Sequence, residues 1–141
     1  MAFPTLVTLA LGSNLGNRES NLKIALNMLD IAFGRHPESV SPVMETEAVG
    51  FEGPAFLNQA VRYRTCKSAK SVLAICKHIE RQMGRTDTPE YAEDGSRVYH
   101  DRIIDIDILF YGNSTVNTPE LTIPHPQVES RPYIKELLLN L

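Results

Sequence analysis

Cysteine is scarce in this chain, positive charge is not in excess, and no apolar run approaches the thickness of a bilayer. Each shortage removes a class of function. The two cysteines, Cys66 and Cys76, fall in or beside a predicted helix without metal-ligand spacing, so they read as small hydrophobes. A net charge of −3 over 141 residues supplies none of the electrostatic attraction that nucleic acid rewards. The longest apolar runs fall short of the roughly 20 residues that cross a membrane. The N-terminus, MAFPTLVTLALGSN, has no basic segment ahead of its apolar stretch and no small-residue cleavage site. A cytoplasmic protein that engages neither membrane nor nucleic acid is expected. Repeats, linkers and low-complexity tracts are also missing, and the length suits a single domain over residues 1–141.

What remains is strand alternating with helix. TLVTLAL (5–11) is a β-branched and Leu-rich run stopped by Gly12, which predicts a first strand. Leu22, Ala25, Leu26, Leu29, Ala32 and Phe33 recur with helical spacing, with Asn17 or Ser20 as cap and Gly34 as stop. A second strand fits residues 37–45, and FLNQAVRYRT (56–65) alternates as a third. Ala69, Val72, Leu73, Cys76, Ile79 and Met83 draw a second amphipathic helix that ends at Gly84. Residues 85–101 are polar and aperiodic, a loop of a length usually kept for function. A fourth strand follows. Beyond a turn-rich stretch, Ser130 caps a last helix with Pro132 in its first turn and Tyr133, Leu137, Leu138 and Leu141 facing inward. The order βαββαβ plus an appendage predicts an α+β ferredoxin-like sandwich. Its antiparallel sheet would carry helices on one face and a C-terminal helix, with the other face free for ligands.

The fourth strand, RIIDIDILFYG (102–112), is chemically odd. Ile104, Ile106, Ile108 and Phe110 form one apolar face, while Asp105 and Asp107 share the other, about 7 Å apart. Two like charges placed together need a compensating cation or a pair of basic side chains. An edge strand guarded by inward charges would explain the pair without chemistry. The fully apolar opposite face reads instead as a central strand, which favours a hard cation that keeps water and phosphate oxygens as its other ligands. Glu80 is a second oddity, since it falls within the apolar stripe of the second helix and opposes the helix dipole. A ligand contact and a side chain that reaches solvent at the helix end explain it equally well. GSNLGN resembles a phosphate loop only weakly, and turn and cap duty explains its glycines. IPHPQVESRPY presents His125 between two prolines, then Arg131 and Tyr133. With Arg85, Arg97 and Arg102 the chain has guanidinium groups enough to grip a polyphosphate, although strict alternation puts Arg102 opposite the aspartates unless the strand begins after it.

Taken together, LALGSNLGNRESNL, ETEAVGFEGPAFLNQAV, IERQMGR, DRIIDIDILFYG and LTIPHPQVESRPY resemble one family nearly end to end. It is the 6-hydroxymethyl-7,8-dihydropterin pyrophosphokinases of folate biosynthesis. The resemblance implies transfer of the β,γ-pyrophosphoryl unit of ATP to the hydroxymethyl oxygen of the pterin, releasing AMP, by a monomer that uses two Mg²⁺ ions. It carries metal binding and catalysis over to Asp105 and Asp107, with Arg102 as a further catalytic group. The pterin pocket carries over to Thr46, Val49, Phe56, Asn58 and Tyr133. The ATP site carries over to Lys77, Glu80, Arg85, Tyr99, Arg102, Ile108, Thr122, His125 and Arg131. Tyr99 stands where other members carry Trp, and Tyr99-His100-Asp101 replaces an aromatic-Gly-Pro stretch. Glu47-Ala48 replaces Pro-Pro after the matched Thr46. A non-catalytic pterin- or nucleotide-binding protein on the same fold is the alternative, and retention of both aspartates, His125 and Arg131 speaks against it. The resemblance makes 85–101 a lid over both substrates. Deleting part of 88–98 should therefore leave a folded protein that binds pterin and turns over slowly; circular dichroism, pterin titration and AMP release together check this, and global unfolding would show the segment to be structural.

Overall fold

A computed structural model of the chain describes residues 4–48, 53–84, 90–91, 97–98 and 103–141, with backbone alone at 90, 91, 97 and 98. The elements run β1 (Thr5–Ser13), α1 (Arg18–Phe33), β2 (Ser39–Val40), β3 (Met44–Thr46), β4 (Phe56–Thr65) and α2 (Ala69–Gln82). They continue with β5 (Glu90–Tyr91), β6 (Arg97–Val98), β7 (Asp105–Tyr111), β8 (Val116–Asn117), β9 (Thr122–Ile123), α3 (Gln127–Ser130) and α4 (Pro132–Leu139). The main sheet has the order β2-β4-β1-β7, with β3 also on β4, and all its described pairings are antiparallel. That is the expected ferredoxin-like order.

Local chemistry explains the boundaries. The Asn17 side chain accepts the Ser20 N–H to open α1, and Gly34, at a φ of 69° that favours glycine, closes it. Ser68 caps α2 in the same way, through the N–H of Ser71. The expected single strand over 37–45 is two, because Pro42 has no N–H to add to a ladder. Ser41 bridges the break by accepting the Ala60 N–H through its hydroxyl. The stretch after β4 and α2 also holds more structure than its aperiodic sequence suggested: β5 pairs with β6, and β8 with β9.

Two clusters of apolar side chains sandwich the sheet. On one face Leu9, Leu11, Val61, Tyr63, Ile106 and Ile108 meet Leu22 and Leu29 of α1 and Val72, Cys76 and Ile79 of α2. On the other face Leu109, Val128 and Ile134 pack with Ala10, Phe110, Tyr133 and Leu138. The C-terminal helix therefore covers part of the face expected to be free. Ile134, not foreseen among its inward residues, is buried, whereas Ser130 closes α3 instead of capping α4.

Strand β7 corrects two expectations. A shift in its pairing with β1 leaves Leu109 as an extra residue, so Phe110 lies opposite Thr8 and joins the second cluster instead of the isoleucine face. It is also not central: among the described residues it pairs only with β1 and forms the sheet's edge. An apolar alternation such as Ile104, Ile106 and Ile108 cannot report on neighbours in the plane of the sheet, only on the layers above and below it.

At the far end of β4, buried Tyr63 stacks on Phe33 with ring centroids 4.4 Å apart and donates its hydroxyl to Asp30 of α1. Burial raises the hydroxyl's pKa, as do the hydrogen bond and the charge of Asp30, so it stays a donor. Tyr63→Phe should lower unfolding stability by about 1–2 kcal/mol, read as an earlier urea midpoint at unchanged slope.

Candidate active site

Direct cross-strand partners in an antiparallel sheet share a face, and one such row organises the open end of this one. It runs Met44 (β3), Asn58 (β4), Gly12 (β1), Asp105 (β7). The next row is Ala60, Ala10, Asp107, and there the C-terminal cluster begins. Asn58 and Asp105 thus stand on either side of Gly12, two strand spacings or about 10 Å apart.

The Asn58 end is rigid. Its Nδ2 donates to Thr46 Oγ1 at 2.7 Å and to the Met44 carbonyl at 3.4 Å, which uses both amide hydrogens. Oδ1 is then turned toward Gly12 as an acceptor. Phe56, two residues earlier on the same face, is half-buried and belongs to neither apolar cluster, so it is not core. The loop before it is tied down from the β1–α1 turn: Asn14 donates to the Pro54 carbonyl at 3.1 Å and Arg18 to the Ala55 carbonyl at 2.8 Å. Arg18 also pairs with Glu45.

At the other end the acids are held by an edge strand, two of whose outward backbone groups are met from beyond the sheet. Glu80, 1 % exposed, accepts the Ile106 N–H through Oε2 at 2.9 Å. Its Oε1 lies 3.7 Å from Lys77 Nζ. The carbonyl of Leu109, beside the acids, accepts the His125 N–H. Gln127 N–H donates to His125 Nδ1 at 3.1 Å, which puts the neutral ring's hydrogen on Nε2, 3.6 Å from Asp107 Oδ1. Burial lowers the His125 pKa and Arg131 lowers it further, against the pull of Asp105. Burial raises the Tyr133 pKa, while Arg131 opposes and Asp107 and Asp105 add to the rise.

The structure therefore brings together Asp105, Asp107, His125, Arg131 and Tyr133, with Asn58 in the row of Asp105 and Thr46 and Phe56 in the row beyond it. Glu80 and Lys77 sit behind β7. Thr122 is exposed on β9. Ile108 faces the core at 3 % exposure, leaving only its main chain to offer a ligand. Val49, Arg85, Tyr99 and Arg102 lie outside the described residues. Sequence reasoning missed Gly12, which is not in a turn but inside β1, and the anchoring by Asn14 and Arg18. A glycine at the end of an alternating run was the available signal.

A family model described as 7,8-dihydro-6-hydroxymethylpterin-pyrophosphokinase matches residues 8–141. The chain belongs to this family. A 2-amino-4-hydroxy-6-hydroxymethyldihydropteridine pyrophosphokinase of Porphyromonas gingivalis is 44% identical over 132 residues, spanning 92% of this chain and 86% of that protein. One of the same name from Bacillus subtilis is 33% identical over 127 residues, or 89% of this chain and 71% of the relative. A mitochondrial folate synthesis bifunctional protein of Pisum sativum is 41% identical across 96% of this chain, which spans only 25% of that longer protein. The crystal structure of an HPPK-DHPS protein in complex with substrates superposes with a TM-score of 0.68 at 15% identity. It covers 99% of this chain and 40% of its own, and shows the shared fold. The chain is accordingly a pyrophosphokinase of folate biosynthesis, with ATP as the family's co-substrate.

Among the described residues no three His, Cys, Asp or Glu side chains converge as a metal cage. Two carboxylates on one face suit a hard cation that keeps most of its ligands from water and phosphate, and Mg²⁺ is such an ion. Glu80→Ala should cost about 2–4 kcal/mol, since it strips a buried N–H of its acceptor, and should speed hydrogen exchange at the Ile106 amide. Glu80→Gln keeps a carbonyl acceptor and should recover most of both; equal losses in the two variants would mean that the charge, not the hydrogen bond, holds β7.

Proposed function

We propose that this chain transfers the β,γ-pyrophosphoryl group of ATP to 6-hydroxymethyl-7,8-dihydropterin, within a single domain acting as a cytoplasmic monomer. The hydroxymethyl oxygen bonds to the β-phosphorus and the bond from that phosphorus to the α–β bridging oxygen breaks. The hydroxyl proton is released and AMP leaves. The row in which Asn58 and Asp105 flank Gly12 carries this reading, because it sets a slot for a flat heterocycle beside a pair of acids. Support for the cytoplasmic part is that, among the described residues, no helix is long and apolar enough to cross a membrane.

Each residue group has a separable task. Asn58 Oδ1 accepts from the N–H edge of the ring, and the Thr46 hydroxyl, already accepting from Asn58, keeps its own hydrogen to donate. Phe56 and Tyr133 offer aromatic faces to a planar bicycle. Asp105 and Asp107 would hold two Mg²⁺ ions, which when bound neutralise the triphosphate where charge grows. Arg131 adds a fixed positive charge, and neutral His125 can donate from Nε2 to a phosphate oxygen without changing the local charge. Thr122, Lys77 and Glu80 border the nucleotide side, to which Arg85, Tyr99, Arg102 and the main chain of Ile108 are also assigned, and Val49 joins the pterin pocket.

Incubation with ATP, Mg²⁺ and the reduced pterin alcohol should yield AMP and the pterin diphosphate; ADP as product would point to single-phosphoryl transfer instead. Asp105→Ala or Asp107→Ala should cost on the order of 100-fold or more in turnover, with pterin affinity nearly kept. Isothermal titration with pterin beside steady-state AMP release separates the two effects.

A further inference from the structure

Gly12 has an unusual neighbourhood for a strand residue paired on both sides. A Cβ built on it would meet Asn58 Oδ1 at 3.2 Å and Phe56 Cδ1 at 3.4 Å, with the Leu57 carbonyl at 3.9 Å. Its φ is that of an ordinary strand residue, unlike Gly16, Gly34, Gly84 and Gly112, which are all at positive φ. The backbone would accept alanine there without strain. What is lacking is room.

Asn58, the nearer neighbour, does not yield cheaply. Asn58 cannot turn away without giving up Thr46 Oγ1, and its Oδ1 takes no hydrogen bond from a described residue. An acceptor of fixed direction, with no donor among the described residues, therefore overhangs bare backbone. On the other side of that backbone stands Asp105.

We propose that Gly12 is a specificity-determining residue: its missing side chain leaves the gap through which the N–H edge of a planar lactam heterocycle reaches Asn58 Oδ1. The ring then lies across the bare backbone of β1 with its substituent toward Asp105. This rests on the pterin reading of the site. A methyl group at position 12 occupies the gap, so the heterocycle loses its acceptor while the nucleotide side is untouched.

The test is Gly12→Ala in the whole chain. Pterin affinity by titration should fall about tenfold or more, a change worth about 1.4 kcal/mol, with the affinity for a non-hydrolysable ATP analogue within about twofold of wild type. The melting temperature is measured alongside, since a structural defect would weaken both ligands together. In the Asn58→Ser background, where the shorter side chain vacates the Oδ1 position, adding Gly12→Ala should cost less than about threefold. That pair serves also if the single variant does not fold. Unchanged pterin affinity in Gly12→Ala, equal loss for both ligands, or full additivity in the pair would each overturn the role of Gly12. Should the wild type itself bind no pterin and form no AMP, the pterin reading falls first and this proposal with it; a wild type that does both beside an unaffected variant removes Gly12 alone.

Discussion

A strand at the edge of a sheet turns half of its backbone N–H and C=O groups away from its one neighbour, and unmet groups of this kind invite pairing, slippage or fraying. The acid pair sits on such a strand. Glu80 meets the Ile106 N–H from the helix side, between the two aspartates, and His125 meets the Leu109 carbonyl from the C-terminal segment. A one-residue slip of β7 would carry Asp105 and Asp107 into the core and Ile106 and Ile108 out of it. The register is therefore fixed twice, by burial of the isoleucines and by a buried carboxylate that recognises one particular amide. Glu80 is costly to bury, and the cost is offset where the chemistry needs the strand to stay still.

The bulge at Leu109 completes that arrangement. Before it, β7 turns acids to the open face; after it, the same face carries Leu109 and Phe110 into an apolar cluster with Val128 and Ile134. One extra residue thus switches that face of the strand from charged to apolar along its length. The C-terminal helix can then close over the Thr8 and Ala10 end of the sheet while the Gly12 end stays open. Small residues in the middle of the rows, Ala10 and Gly12, serve opposite ends: one lets a helix come close, the other leaves space for a ligand.

Much of this was legible in the sequence, for reasons that differ by element. The helices announced themselves because Leu22, Ala25 and Leu29, or Val72, Cys76 and Ile79, are periodic and bordered by Asn17, Gly34 and Gly84. The acid pair was legible because charge on an otherwise apolar strand is expensive. The position of β7 in the sheet was not, since side-chain alternation reports the layers above and below a strand and says nothing of its in-plane neighbours. The extra residue at Leu109 was hidden too, because a bulge changes the partner count and leaves the letters looking like a regular alternation. Glu80 was seen as anomalous, yet its partner is a main-chain amide 26 residues away, and no side-chain pattern encodes such a contact. Gly12 was read as a turn because glycine usually marks one; only the cross-strand register reveals which side chains its absent Cβ makes way for.

The electrostatics of the site follow from how little of it can change charge. His125 is fixed by its own turn: Nδ1 is taken by the Gln127 N–H, and burial and Arg131 oppose a second proton. At 3.6 Å from Asp107 Oδ1 the neutral ring's Nε2 lies beyond hydrogen-bond distance of that oxygen. A protonated imidazole there would be drawn to the aspartates and would compete with cations for them. A neutral one adds no positive charge beside the two carboxylates and keeps its hydrogen on Nε2. In the proposed reading the same pair of acids, costly in a closed core, would on an open face hold the cations of a metal-bound polyphosphate.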